Sequence, residues 1–553
     1  MLETVRGKSS ILQSNYKERK EMNNKKLQVW LPLVFSVVMI AGMFFGFNLH
    51  KQTGSNKGFF AVNKRTSLEE ALELIKSRYV DSVHIDTLEE GAIQQMMSGL
   101  DPHSVYIPAN SLKEVNEDIA GNFEGIGVEF NIFYDTVHVL YVLPGGPSDK
   151  AGLQVADRIL KINDQIIAGQ KITSDEVKKL IRGPGASRVN LVILRNGHPM
   201  NISITRGTIP VPSRDAAYML DKNTGYIKLN KFSENTYAEF MEGMENLKTQ
   251  GLKKLILDLR GNGGGLMDEA VQIADEFLDD NKLIVYTEGT NTKKREYSAR
   301  RPGIFETGKL VILVDELSAS ASEILSGALQ DWDRATIVGR RTFGKGLVQE
   351  QYELSDGSAI RLTVARYYTP VGRSIQRSYE KGRKIYMEDI WQRYKNGELL
   401  YADSNKINRG QVYKTFIEKR PVYGGGGIMP DVFVPIDTNN IQRNVTQLYL
   451  ETTFNNFVYN YYMQNLSRIN QYKSAIDFAE KFPAIDDAWD QLVIYALKDS
   501  IYLENISVRD QQGIKERLKA YLARYKWRNE GFYEVLNMND DMVKKALEVL
   551  NNN

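Results

Sequence analysis

Three serines alternate with alanine where an apolar run ends. KLVILVD leads through Glu316 and Leu317 into Ser318-Ala319-Ser320-Ala321-Ser322, after which Ile324, Leu325, Ala328, Leu329 and Trp332 recur at helical spacing. A serine on such a strand-to-helix turn can present its Oγ beside the unpaired N–H groups of the helix start, so that attack on a carbonyl and binding of the oxyanion coincide. Taken alone, the segment reads more simply as a helix cap, because Ser320 and Glu323 have capping-box spacing. A nucleophile also needs a base. The five histidines, His50, His84, His103, His138 and His198, all precede residue 210, and only His103 is a candidate to reach across from another domain. Lys345 fits better, in the apolar, glycine-lined stretch GRRTFGKGLVQ. Burial penalises the ammonium form and lowers its pKa, leaving an amine that can take a proton. The same stretch nearly matches the phosphate-binding G-x-x-x-x-G-K. Gly346, however, stands where Ser or Thr would hold magnesium, which argues against nucleotide binding.

A second turn offers backbone donors. KKLILDLR runs into Gly261-Asn262-Gly263-Gly264-Gly265 and then into the helical pattern LMDEAVQIADEFL. Convergent N–H groups at a helix start stabilise negative charge. A dinucleotide fingerprint would need a glycine at position 266, which is Leu.

Both turns need a scaffold, and 553 residues imply three or four domains. A net charge of +2 provides no basic field for nucleic acid. The absence of cysteine excludes disulfides, thiolate nucleophiles and Cys-based zinc sites. No cofactor or metal is called for. From Leu27 to Leu49 no residue is charged, enough for a bilayer-spanning helix, and the lysines and arginines before it predict a cytoplasmic N-terminus at 1–26. A cleaved signal peptide is the competing reading. No A-x-A-like site closes the run, which favours an uncleaved anchor. Met22 is an alternative start to Met1.

Residues 50–62 read as a linker and 63–117 as a helical region, with Ser67 preceding LEEALELIKSRY. Strand-like alternation occupies 118–209, interrupted by TSDEVKKLI with a capping box from Thr173 to Glu176. Residues 210–440 alternate strands with amphipathic helices, and 378–422 looks like a polar, aromatic insertion. Helical patterns rich in Tyr, Phe and Leu fill 441–553.

SASASEILSGALQD followed by GRRTFGKGLVQ resembles the core of the C-terminal processing peptidases (S41, tail-specific proteases). LDPHSVYI, LDLRGNGGG, RYYTPVGRSIQ and GGGGIMPDVFVP extend the likeness over about 66–437. The resemblance implies a multidomain α/β fold. Its parts would be a ClpP/crotonase-like protease core with an inserted PDZ domain and an N-terminal helical region, to which the sequence pattern adds a C-terminal helical domain outside the family motifs and one N-terminal transmembrane helix. It implies a Ser320–Lys345 dyad, with Gln349 positioning the lysine. The oxyanion hole would come from the N–H of Ala321 and one from Gly263 or Gly264. FEGIGVEF resembles the PDZ carboxylate-binding loop, so Gly125, Ile126, Gly127 and Val128 would hold a substrate's C-terminus while the next strand pairs with its tail. Three positions depart from the family pattern. Ala156-Asp157 replaces a Gly-Asp turn, which suggests a reshaped turn; Asn163-Asp164 replaces Asn-Gly; and Leu317 replaces a small residue.

The function so implied is a membrane-anchored serine endopeptidase cleaving proteins near their C-termini, outside the cytoplasm, in the periplasm of a bacterium. The expected partners are proteins with accessible C-terminal tails and the membrane; a homodimer or an adaptor is compatible with the pattern but not specified by it. Two rivals stand beside this reading: a non-catalytic PDZ scaffold, and an assembly or chaperone factor working through its helical tail.

Overall fold

The structure, a computed structural model, describes residues 30–45, 66–279, 281–401, 410–436 and 442–552. The expected cytoplasmic segment 1–26 and linker 50–62 lie outside these. Of the apolar run 27–49, a helix over 30–45 is described, its side chains exposed throughout. Among the described residues no helix is long and apolar enough to cross a membrane.

The chain divides at Glu89–Glu90 into two compact units. In the first, helix Ser67–Arg78 is capped by Thr66 rather than Ser67. Thr66 N–H donates to Glu69 Oε2 at 2.8 Å and Glu69 N–H returns to Thr66 Oγ1 at 3.4 Å. Ser67 also has a carboxylate three residues on, Glu70, so capping-box spacing alone does not choose between the two residues.

In the second unit, a six-stranded sheet carries the protease-like region. Its strand order is Arg214–Met219, Thr224–Leu229, Lys254–Asp258, Lys309–Val314, Thr336–Gly339, Val432–Phe433. The first pair is antiparallel and the rest parallel, with Tyr226 opposite Ile256 and Ile256 opposite Val311. Successive side chains point to opposite faces, and a parallel sheet must bury both. One face, with Ile227, Leu229, Leu257 and Ile312, packs under helices Thr236–Thr249, Met267–Asp275 and Ala321–Asp331. The other, with Tyr226, Ile256, Val311, Leu313 and Val338, is covered by Met542, Val543, Ala546 and Leu550 of the C-terminal helix Asp541–Asn552. The last helix therefore completes the core that the sequence placed before residue 441.

A second, antiparallel sheet includes Leu347–Glu353, Ala359–Tyr368 and Leu283–Glu288. Val105–Ile107, expected within a helical region, is a strand of this sheet, pairing Tyr106 with Ile360. The described residues of the insertion 378–422 include helices Arg383–Met387 and Asp389–Lys395 and a hairpin of Val412–Lys414 with Pro421–Tyr423. Buried Arg393 donates from it to the carbonyls of Arg341 (3.0 Å) and Thr342 (2.9 Å), bracing the loop that leads to Lys345.

The strand-rich unit forms an antiparallel sheet in the order Val128–Phe133, Thr136–Val142, Arg158–Ile162, Arg188–Arg195, His198–Thr205. Helix Ser174–Ile181 has the expected box from Thr173 to Glu176. The Ala156-Asp157 turn is not reshaped. Ala156 takes the left-handed conformation itself, φ 72°, at a cost of about 1–2 kcal/mol against glycine. Buried Asp157 holds the turn through Arg195 Nη2 at 2.6 Å. Asn163, φ 51°, fills its turn as asparagine readily does.

The tail packs on this unit as well as on the core. Tyr459 stacks on Phe133 with ring centroids 4.3 Å apart and meets His138 Nδ1 at 3.2 Å. Helix Val508–Asn537 breaks at Arg528, φ 62°, whose guanidinium lies 3.6 Å from the Tyr141 ring centre and pairs with Glu129.

Candidate active site

Strand Lys309–Val314 ends, the chain turns, and helix Ala321–Asp331 begins with Ser320 at the junction. Ser320 has φ 54° and ψ −113°, a backbone region that costs a non-glycine residue about 1–3 kcal/mol and persists only where its surroundings enforce it. The three serines differ by what their hydroxyls do. Ser318 Oγ donates to the carbonyl of Leu259 at 2.8 Å and accepts from Asp315 N–H at 2.9 Å. Ser322 Oγ donates to the carbonyl of Asn262 at 3.0 Å. Both are buried, whereas Ser320 is half-exposed and lines a cavity of about 360 Å³.

The same cavity is lined by Gly263, Gly264, Lys345 and Gln349, so four further residues expected at the site meet Ser320 there. The glycine turn touches the serine turn directly. A Cβ on Gly264, φ 95°, would lie 2.7 Å from Ser320 Cβ and 2.6 Å from the carbonyl of Ala319, so only glycine fits. Gly264 N–H is already spent on Asn262 Oδ1 at 2.9 Å. The N–H groups of Gly263 and Ala321 have no hydrogen-bond partner among the described residues. Of the two glycines expected to complete an anion site, Gly263 is therefore the one with a free donor.

Lys345 Nζ donates to Gln349 Oε1 at 3.0 Å, and Gln349 Nε2 donates to the carbonyl of His103 at 2.5 Å. His103 does reach the site from the LDPHSVYI segment, through its backbone. Its ring turns to Tyr386 Oη at 2.8 Å, and burial together with the positive Lys345 pushes its pKa down to about 4. Lys345 itself is held below the ordinary lysine value, first by burial and then by the nearby Arg361 guanidinium. Among the described residues no hydrogen bond joins Lys345 Nζ to Ser320 Oγ, although both line one cavity.

Glu323 ties the two catalytic candidates together. Its buried carboxylate accepts from Ser320 N–H (2.8 Å), Lys345 N–H (2.8 Å), Gly344 N–H (2.7 Å) and Thr342 Oγ1 (2.5 Å). Burial raises its pKa, which these four donors oppose. Tyr367 adds a second tie, its hydroxyl donating to the carbonyls of Ser320 (3.0 Å) and Lys345. The capping-box spacing pointed to Glu323 but not to its contacts with the lysine strand, and no local pattern marked Tyr367. The carboxylate-loop residues Gly125, Ile126, Gly127 and Val128 lie away from this cavity, where Val128–Phe133 forms the free edge of its sheet.

Family models match successive stretches of the chain. The model of peptidase family S41 matches residues 223–382 and that of a PDZ domain residues 138–195. An activating-protease CtpB N-terminal domain model matches 41–111, and a family of unknown function matches 444–529. A probable CtpA-like serine protease of Staphylococcus haemolyticus is 34% identical over 66% of this chain and 75% of its own length. The chain belongs to the S41 family of carboxy-terminal processing serine proteases. Within that family, the carboxy-terminal processing protease CtpA of Bacillus subtilis is 36% identical to it over 62% of this chain and 72% of its own. The photosystem II D1 C-terminal processing protease structure is 31% identical, covers 56% of this chain and 89% of its own, and superposes with a TM-score of 0.32. An S41 protease with a PDZ domain thus carries, in residues 444–529, a helical region matched by a family of unknown function.

Proposed function

We propose that this S41 protease is a serine endopeptidase that cuts protein substrates near their C-termini with a Ser320–Lys345 dyad. The observation that carries the proposal is the meeting, in one cavity, of a hydroxyl at a strained turn, a lysine amine and Gly263, whose N–H, like that of Ala321 next to the serine, has no partner among the described residues. Ser320 Oγ attacks the peptide carbonyl while its proton passes to Lys345 Nζ. The carbonyl oxygen becomes an oxyanion facing the N–H groups of Ala321 and Gly263. Lys345 returns the proton to the departing amine, and water then attacks the acyl-enzyme by the same exchange. Gln349 holds the amine in the cavity that Ser320 lines, and the lysine's flexible stem gives it reach toward Oγ. The PDZ loop at Gly125–Val128 captures the substrate carboxylate, and edge strand Val128–Phe133 takes up the tail by strand addition.

The uncharged run 27–49, with basic residues before it, supports a single membrane anchor with the catalytic region outside the cytoplasm, in the periplasm of a bacterial host. The exposed apolar helix over 30–45 accords with that placement.

The direct test is covalent labelling. A peptide fluorophosphonate is expected to modify Ser320 alone among the three serines, read by mass spectrometry of the digested protein. A label on Ser318 or Ser322, or none under conditions of active cleavage, would overturn the assignment. Arg361 supplies a second expectation. Removing its positive charge in Arg361→Gln raises the Lys345 pKa, since a neighbouring cation disfavours the ammonium. The ascending limb of the kcat/KM profile, which needs neutral lysine, then moves to higher pH. A limb that stays in place or moves down contradicts the role of Lys345 as base.

A further inference from the structure

The C-terminal helix is joined to the glycine turn by a partly buried ionic relay. Arg260 sits between strand Lys254–Asp258 and Gly261, and its guanidinium spans two carboxylates. On one side Nε meets both Asp258 oxygens at 3.0 Å and Nη2 meets Asp258 Oδ2 at 2.6 Å. On the other, Nη1 meets Asp540 Oδ1 at 3.0 Å and Oδ2 at 2.8 Å. Asp258 is completely buried and also accepts from Tyr226 Oη at 2.7 Å and Lys228 Nζ at 3.2 Å. Burial alone would raise its pKa, but Arg260 and Lys228 hold it well below the usual carboxylate range. Lys228 Nζ also donates to the carbonyl of Arg260.

Asp540 belongs to the tail. It caps the last helix, accepting Val543 N–H on Oδ1 at 2.9 Å and Lys544 N–H on its carbonyl at 2.9 Å. That helix is pressed on the sheet by Met542, Val543, Ala546 and Leu550. The residue after Arg260 starts the turn whose Gly263 N–H is free, and Gly261 N–H is fixed on Asp315 Oδ1 at 2.9 Å. The guanidinium is thus clamped at the base of the turn by one carboxylate from the sheet and one from the chain's end.

We infer that Asp540 is a positioning residue for the oxyanion site, so that the C-terminal segment supports the catalytic centre through this one side chain. A planar guanidinium held bidentately by Asp258 and through Nη1 by both oxygens of Asp540 has little freedom to tilt. Releasing one side lets the strand end and the turn shift, and a displacement of about 1 Å costs roughly a hundredfold in rate. This inference rests on the reading of Gly263 N–H as an oxyanion donor.

The test uses the full chain and compares Asp540→Asn, Asp540→Glu and Leu550→Ala. Asparagine keeps the size and the helix-capping oxygen but loses the charge that holds Arg260. Asp540→Asn is expected to lower kcat by about 10- to 100-fold with KM within about twofold, and to speed amide hydrogen exchange across 261–265. Asp540→Glu restores part of the rate. Leu550→Ala loosens the same helix and lowers Tm while leaving kcat of the folded enzyme unchanged. The inference is overturned if Asp540→Asn keeps the wild-type kcat, if exchange in 261–265 does not change, or if Leu550→Ala loses as much kcat. It fails alone if cleavage remains Ser320-dependent. If wild-type cleavage proves independent of Ser320, the dyad reading is what falls, while hydrogen exchange still reports on the clamp.

Discussion

Ser320→Ala is expected to reduce cleavage of a C-terminally labelled unfolded substrate by at least about ten thousand-fold, the scale on which loss of a serine nucleophile acts. The fold should survive, because the Oγ faces the cavity while Glu323 holds the turn through the backbone N–H of Ser320 at 2.8 Å. The neighbouring serines should behave in the opposite way. Ser318→Ala removes the 2.8 Å donor to the Leu259 carbonyl, which keeps Asn262 N–H at 3.1 Å, and Ser322→Ala removes the 3.0 Å donor to the Asn262 carbonyl, which keeps Ala319 N–H at 3.0 Å. Each is expected to cost stability by about 0.5–1.5 kcal/mol in denaturant unfolding, the net worth of one hydrogen bond, while cleavage by the folded protein persists. Cleavage that survives Ser320→Ala and is lost in Ser318→Ala would sink the assignment. Loss in none of the three would favour the scaffold reading.

Replacing Lys345 should be nearly as severe. Lys345→Met removes the base and is expected to lower kcat by about a thousandfold or more, because a neutral serine hydroxyl is a weak nucleophile. Lys345→Arg should be no better despite keeping the charge, since a guanidinium stays protonated at any working pH. In the wild type, activity should rise with pH along a limb lying below the ordinary lysine value of 10.5, because burial and Arg361 both favour the neutral amine. The limb should vanish in Lys345→Met, leaving a low, flat profile. A residual profile with the wild-type limb would assign the titration to another group. His103 is a poor alternative: its ring is turned to Tyr386 and its pKa lies near 4, so its limb would appear far lower.

Much of the architecture was legible because it is locally encoded. The Thr173–Glu176 box, the alternating strands of the PDZ unit and the two glycine- and serine-rich turns rest on spacings of a few residues, which turn and cap chemistry fix wherever the chain goes. The errors were local too. The first helix is capped one residue earlier, at Thr66, although Ser67 has the same spacing to Glu70, and Ala156 accepts a glycine-like conformation where buried Asp157, paired with Arg195, holds the turn closed. The segment at Val105–Ile107 became a strand because the edge of a distant sheet was there to pair with it.

The serine cluster, the lysine and the glycine turn were legible in the sequence itself as residue types at readable spacings, while the pairing of Ser320 with Lys345 came from the family resemblance. Which of three serines faces the cavity was decided only by the tertiary structure, through what the hydroxyls of Ser318 and Ser322 bond to. The same holds for the glycine that keeps a free N–H and for the His103 carbonyl that supports Gln349. It holds also for Glu323 joining two turns and for the last helix closing the sheet beneath the site. Each of these depends on a contact between residues far apart in the chain. A hydrogen bond or a buried face of that kind leaves no periodicity or spacing in either segment alone.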